Sequence, residues 1–80
     1  MTREVARVVE AMRGEMKRIE IQEALGLSDE DSFRKVYLLP ALDAGVMEMT
    51  IPDKPRSSKQ RYRLTALGSA LRENLANKSG

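Results

Sequence analysis

Leu-Ser-Asp-Glu-Asp-Ser-Phe-Arg-Lys-Val-Tyr-Leu-Leu-Pro-Ala-Leu-Asp-Ala-Gly (residues 27–45), Val-Met-Glu-Met-Thr-Ile (46–51), Pro-Asp-Lys-Pro-Arg-Ser-Ser-Lys-Gln (52–60) and Arg-Tyr-Arg-Leu-Thr (61–65) decide how this chain folds. The first segment reads as an apolar helix. Ser28 with Asp31 three residues on approximates a capping box, and Asp29, Glu30 and Asp31 sit where the helix dipole favours negative charge. Phe33, Tyr37, Ala41 and Ala44 fall to one side, with Leu38 and Leu42 widening the apolar arc. Ser32, Lys35, Leu39 and Asp43 look outward. Pro40 offers no N–H to the carbonyl of Val36, so the helix bends or loosens there, and Gly45 stops it. Met47, Met49 and Ile51 then alternate with Glu48 and Thr50 at strand period, as Tyr62 and Leu64 do with Arg61 and Arg63. The nine residues between, 52–60, exceed the usual hairpin loop and carry a basic tip at Arg56, Ser57, Ser58 and Lys59.

Upstream, Thr2 caps a helix whose Val5, Val8, Val9 and Met12 recur at i, i+3, i+4 and i+7, and Gly14 ends it. Arg3, Glu4, Arg7, Glu10 and Arg13 lie off that stripe and face water. Met16 is placed for a one-residue bridge to the hairpin. A second helix from Arg18 buries Ile21, Ala24 and Leu25 and closes on Gly26 and Leu27 in a Schellman arrangement. Its start lacks Ser, Thr, Asp or Asn, so its first turn is expected to fray. Downstream, Thr65 caps a last helix carrying Leu67, Ala70, Leu71 and Leu75. The reading is α+β: a winged helix-turn-helix over residues 1–76, with a three-helix core, a two- or three-stranded β-hairpin wing and a C-terminal helix, then a disordered tail at 77–80.

The composition narrows the function. Eighty residues, 41% hydrophobic and 32% charged, make one soluble globular domain with a small core. Neither cysteine nor histidine occurs, which removes thiolate and imidazole metal sites, disulfides and the usual general base. Glycine-rich phosphate loops are missing too, so no cofactor is expected and an enzyme is disfavoured. Asp29, Glu30 and Asp31 diverge around a helix axis instead of converging on an ion, so no metal site is expected either. No segment reaches the ~20 apolar residues of a membrane span, and a cytoplasmic protein is expected. The net charge is only +2, yet residues 53–63 hold Lys54, Arg56, Lys59, Arg61 and Arg63 against Asp53 alone.

Four stretches resemble a known pattern: Glu-Ile-Gln-Glu-Ala-Leu-Gly-Leu (20–27), Tyr-Leu-Leu-Pro-Ala-Leu-Asp-Ala-Gly-Val (37–46), Thr-Ile-Pro-Asp-Lys-Pro (50–55) and Gln-Arg-Tyr-Arg-Leu-Thr-Ala-Leu-Gly (60–68). Together they are similar to the C-terminal winged-helix domain of bacterial Fic-family proteins and of RecG-related ATPases labelled transcriptional regulators. The resemblance implies an accessory role in DNA binding beside other domains of a parent protein. The Fic His-Pro-Phe motif is not in this chain, so adenylyl transfer does not carry over.

These readings give a DNA-binding domain as the leading expectation, with duplex DNA as partner. Lys54, Arg56, Ser58, Lys59 and Arg61 of the wing would hold phosphates or the minor groove. Lys17 and Arg18 would add contacts from the second helix, and Ser32, Arg34 and Lys35 would approach bases. The acidic start of the third helix opposes entry into a groove. It favours the alternative, a protein-interaction or homodimerisation module supported also by an exposed Leu39 or Met47, with Leu39 buried at the contact of a dimer.

Overall fold

The computed structural model describes residues 2–78. Its elements are α1 (Arg3–Ala11), α2 (Arg18–Ala24), a composite third helix, β1 (Met47–Met49), β2 (Tyr62–Leu64) and α5 (Ala66–Lys78). The third helix comprises α3 (Glu30–Phe33), a π-helical stretch Arg34–Leu38, and α4 (Leu39–Asp43). This is an α+β winged helix. Helix α5 continues through Asn77 and Lys78, which the sequence placed in the polar tail; Ser79 and Gly80 lie outside the described residues.

The core gathers Val5, Val8, Val9 and Met12 of α1, Ile21 of α2, Phe33, Leu38 and Ala41 of the third helix, and Val46, Met47 and Tyr62 of the hairpin. Thr2 caps α1 by accepting from the Val5 N–H at 3.1 Å. Arg7 is exposed, as expected, and from the surface it also ties three helices together. It donates to the Tyr37 hydroxyl and the Leu25 carbonyl at 3.1 and 3.2 Å, with its guanidinium 5.7 Å from the Tyr37 ring centroid.

Three expectations are corrected. Asp29 caps the third helix in place of Ser28, its Oδ1 accepting from the N–H groups of Asp31 and Ser32 at 3.0 and 3.2 Å. Helix α2 does not start bare: the Glu20 carboxylate reaches back to the Lys17 N–H at 2.7 Å, half of a capping box. Ala24 and Ala44 are exposed, because the positions nearest each helix end swing past the edge of a small core. Buried Gln22 takes an inward place and donates to the Leu27 carbonyl at 3.1 Å.

Pro40 is accommodated without breaking the helix. The preceding turn widens to π geometry, with the Leu39 N–H bonding to the Arg34 carbonyl, so the proline ring and its missing donor fall at the first turn of α4. Gly26 and Gly45 both adopt positive φ, 72° and 75°, and both helix ends show the two Schellman bonds. Beyond Gly45, Thr65 forms a clasp. Its N–H donates to the Val46 carbonyl at 3.1 Å and its hydroxyl to the Gly45 carbonyl at 2.6 Å, while the same oxygen caps α5 at the Gly68 N–H, 3.1 Å away. A Cβ at Gly68 would collide with the Val46 carbonyl oxygen, so Thr65-Ala-Leu-Gly68 is the close joint between α5 and the end of the third helix.

Candidate nucleic-acid interface

The hairpin is short. Met47 pairs with Leu64, Glu48 with Arg63 and Met49 with Tyr62, and Met16 adds a third, single bridge to Tyr62 through bonds of 2.9 and 2.8 Å. Past Thr50 and Arg61 the ladder ends and the loop becomes three successive turns. They are closed by the bonds from Lys54 N–H to Ile51, Ser57 to Lys54 and Gln60 to Ser57. The buried Gln60 side chain organises them. Its Oε1 accepts from the Ile51 N–H at 2.9 Å, and its Nε2 donates to the carbonyls of Ile51 and Lys54. The amide thus supplies Ile51 with a partner that the β-ladder no longer provides. The wing is therefore a compact knot of turns, not an extended finger, and it curls toward α2.

Between this loop and the start of α2 lies an open cleft of about 620 Å³. Lys17, Arg18, Ile19 and Arg34 line one side; Pro55, Arg56, Ser57 and Ser58 line the other, with Gln60 and Tyr62 between. Burial pushes the Tyr62 phenol above the usual tyrosine range, and the positive charge of Arg18 pulls it partly back.

Charges on the two sides differ. Arg18 pairs with Glu30 at 2.6 Å, and Asp31 holds both Arg34 and Lys35, at 3.8 and 3.4 Å. Arg63 is held by Glu48 at 2.7 Å. Among the described residues Lys54, Arg56, Lys59 and Arg61 form no ion pair, and all four are exposed.

A protein-family model, the C-terminal domain of Fic-like proteins (filamentation induced by cAMP), matches residues 3–65. The chain belongs to the Fic-like C-terminal domain family. This Fic-like domain is also similar to a crystallised Fic family protein from Desulfovibrio desulfuricans G20, at 45% identity with a TM-score of 0.78. That match covers 82% of the Fic-like domain but 21% of the other chain, so the domain spans about a fifth of that protein. Both comparisons fall on the Fic side of the resemblance. No functionally curated protein matches the chain.

Of the residues singled out from the sequence, the Fic-like domain brings Lys17, Arg18, Arg34, Arg56 and Ser58 around one cleft. Lys54, Lys59 and Arg61 remain on the exposed loop beside it. Ser32 and Lys35 stand outside the cleft, and Lys35 borders a different hollow with Leu39, which is 45% exposed. Ile19, Gln60 and Tyr62 were missed. For Gln60 the signal was there: the alternation that sends Leu64 and Tyr62 inward also sends the residue two places earlier. Among the described residues no helix is long and apolar enough to cross a membrane.

Proposed function

We propose that this chain is a DNA-binding accessory domain of a larger bacterial Fic protein, gripping duplex DNA chiefly through its wing. The observation that carries this reading is the set of four cations with no ion pair among the described residues, Lys54, Arg56, Lys59 and Arg61, on one exposed loop beside a cleft that three further cations line. A polyanion gains by releasing counterions to such a surface, and the wing offers its charges without first breaking internal pairs. Arg18, Arg34 and Lys35 join only by exchanging a carboxylate for a phosphate. Because their pairs are exposed and worth at most about 1 kcal/mol each, that exchange is accessible. Ser32 would then stand with Arg34 and Lys35 nearest the base edges.

In a Fic or a RecG-related parent alike, such a domain would hold the whole protein on DNA, and a role in transcription regulation follows from that placement. Roughly four to six neutralised phosphates give a log-log salt slope of about −4 to −5. The test is an NMR titration with mixed-sequence duplex at roughly 50 and roughly 200 mM salt. Amides of residues 54–61 should move first and lose most of their response at the higher salt. Absence of any response at low salt would refute DNA binding.

A further inference from the structure

On the third helix, Val36 and Leu39 are 43% and 45% exposed, and neither belongs to the core cluster. Leu39, Pro40 and the half-buried Leu42 form a shallow apolar hollow bordered by Lys35 and Asp43. None of these residues lines the basic cleft. Opposite charges thus border an apolar patch. Among the described residues Asp43 has no ion pair, and Lys35 shares Asp31 with Arg34.

The pattern is self-complementary about Leu39. Lys35 lies four residues before it and Asp43 four after; Val36 lies three before and Leu42 three after. A second copy laid antiparallel across a two-fold axis at Leu39 sets Lys35 against the partner's Asp43 and Val36 against the partner's Leu42. The two Leu39 side chains then meet on the axis, an isologous contact in which each pairing occurs twice. A parallel arrangement would set lysine on lysine and aspartate on aspartate. The i±3 and i±4 rows of such a face are the ridges by which helices pack.

We infer that the outer face of the third helix is a self-association surface, docking a second copy of this chain antiparallel through Leu39 with Lys35 and Asp43 exchanged across the axis. One helix from each copy covers less than the roughly 1,200 Å² of a stable complex, so the dimer is weak, with a dissociation constant on the order of 0.1 mM. Dimerisation leaves the basic cleft and wing open on both copies while withdrawing Lys35 and Leu39 from base contact.

The test is sedimentation equilibrium of the chain without DNA, from about 10 μM to about 1 mM, so it does not depend on whether DNA is bound. The wild type should pass from monomer to dimer. Leu39→Asp should weaken association at least about tenfold. Lys35→Asp and Asp43→Lys should each weaken it, and the double reversal should restore it to within about threefold, a rescue that a structural role of either residue cannot produce. If Lys35→Asp unfolds because it faces Asp31, the reversal is repeated with Asp31→Asn, and isotope-filtered contacts between Leu39 methyls of two copies read the interface directly. A monomer throughout the range, association indifferent to Leu39→Asp, or a double reversal as weak as the singles overturns the inference.

Discussion

The wing loop and the helix-turn-helix facing it, α2 with the third helix, carry similar numbers of cations but hold them differently. Arg18, Arg34 and Lys35 lean on Glu30 and Asp31, whereas Lys54, Arg56, Lys59 and Arg61 have no carboxylate partner among the described residues. A count of charges by residue makes the two regions look alike; the pairing makes one an available surface and the other a conditional one. Glu30 and Asp31, which hold these cations, also occupy the favourable dipole position in the first turn of the third helix, beside the Asp29 cap. Helix stability and groove binding therefore make opposing demands on the same few residues.

The sharpest way to break this comparison is to remove the wing charges. Replacing Lys54, Arg56 and Lys59 together by alanine should weaken duplex binding roughly 10- to 100-fold and flatten the log-log salt slope by about 2.7, read by anisotropy across a salt series. Equal loss from Ser32, Arg34 and Lys35 substitutions would show that the helix, not the wing, holds the DNA.

Gln60→Ala tests whether the loop's shape matters apart from its charge. Losing three bonds to Ile51 and Lys54 should cost about 2 kcal/mol in thermal or chemical denaturation and expose the Ile51 amide to rapid exchange, with DNA affinity falling although every cation remains. Unchanged affinity would mean that the loop works as an unstructured cationic tether.

Glu30→Gln with Asp31→Asn should move binding the other way. With Arg18, Arg34 and Lys35 released, affinity should rise about three- to tenfold and the salt slope steepen by up to about 2.7, each released cation adding at most one phosphate contact. Stability should fall by no more than about 3 kcal/mol, since three exposed pairs and two favourable dipole positions are lost. A variant that binds no better would show that the helix face does not approach the phosphates.

The smallest effect concerns Tyr62 at the back of the cleft. Burial raises its folded-state pKa, so the neutral phenol is preferred in the fold and the stability it contributes is intact below the ordinary value of about 10. It is lost as the pH rises past that value through the folded pKa. Denaturation curves above pH 10 should therefore fall more steeply for the wild type than for Tyr62→Phe. Parallel curves would place the phenol in water.

Much of the architecture was legible because it rests on short-range rules. The valine stripe of α1, the two glycine-ended helices and the period-two hairpin follow from local geometry. Pro40 announced a disturbance but not its form, since whether a helix bends, breaks or widens into a π turn depends on what packs around it. The polar joints were less legible: Arg7 and Thr65 bond to groups 18 to 30 residues away and so tie separate elements together. Hydrophobic periodicity carries no information about such joints.

The order of amino acids was enough to set a winged helix with a cationic loop, because helix caps, turn glycines and side-chain alternation act over a few residues. Which of those cations are available was a matter for the folded chain alone. An ion pair is fixed by distances between side chains on separate turns and helices, and the carboxylates that engage Arg18 and Arg63 lie 12 and 15 residues away.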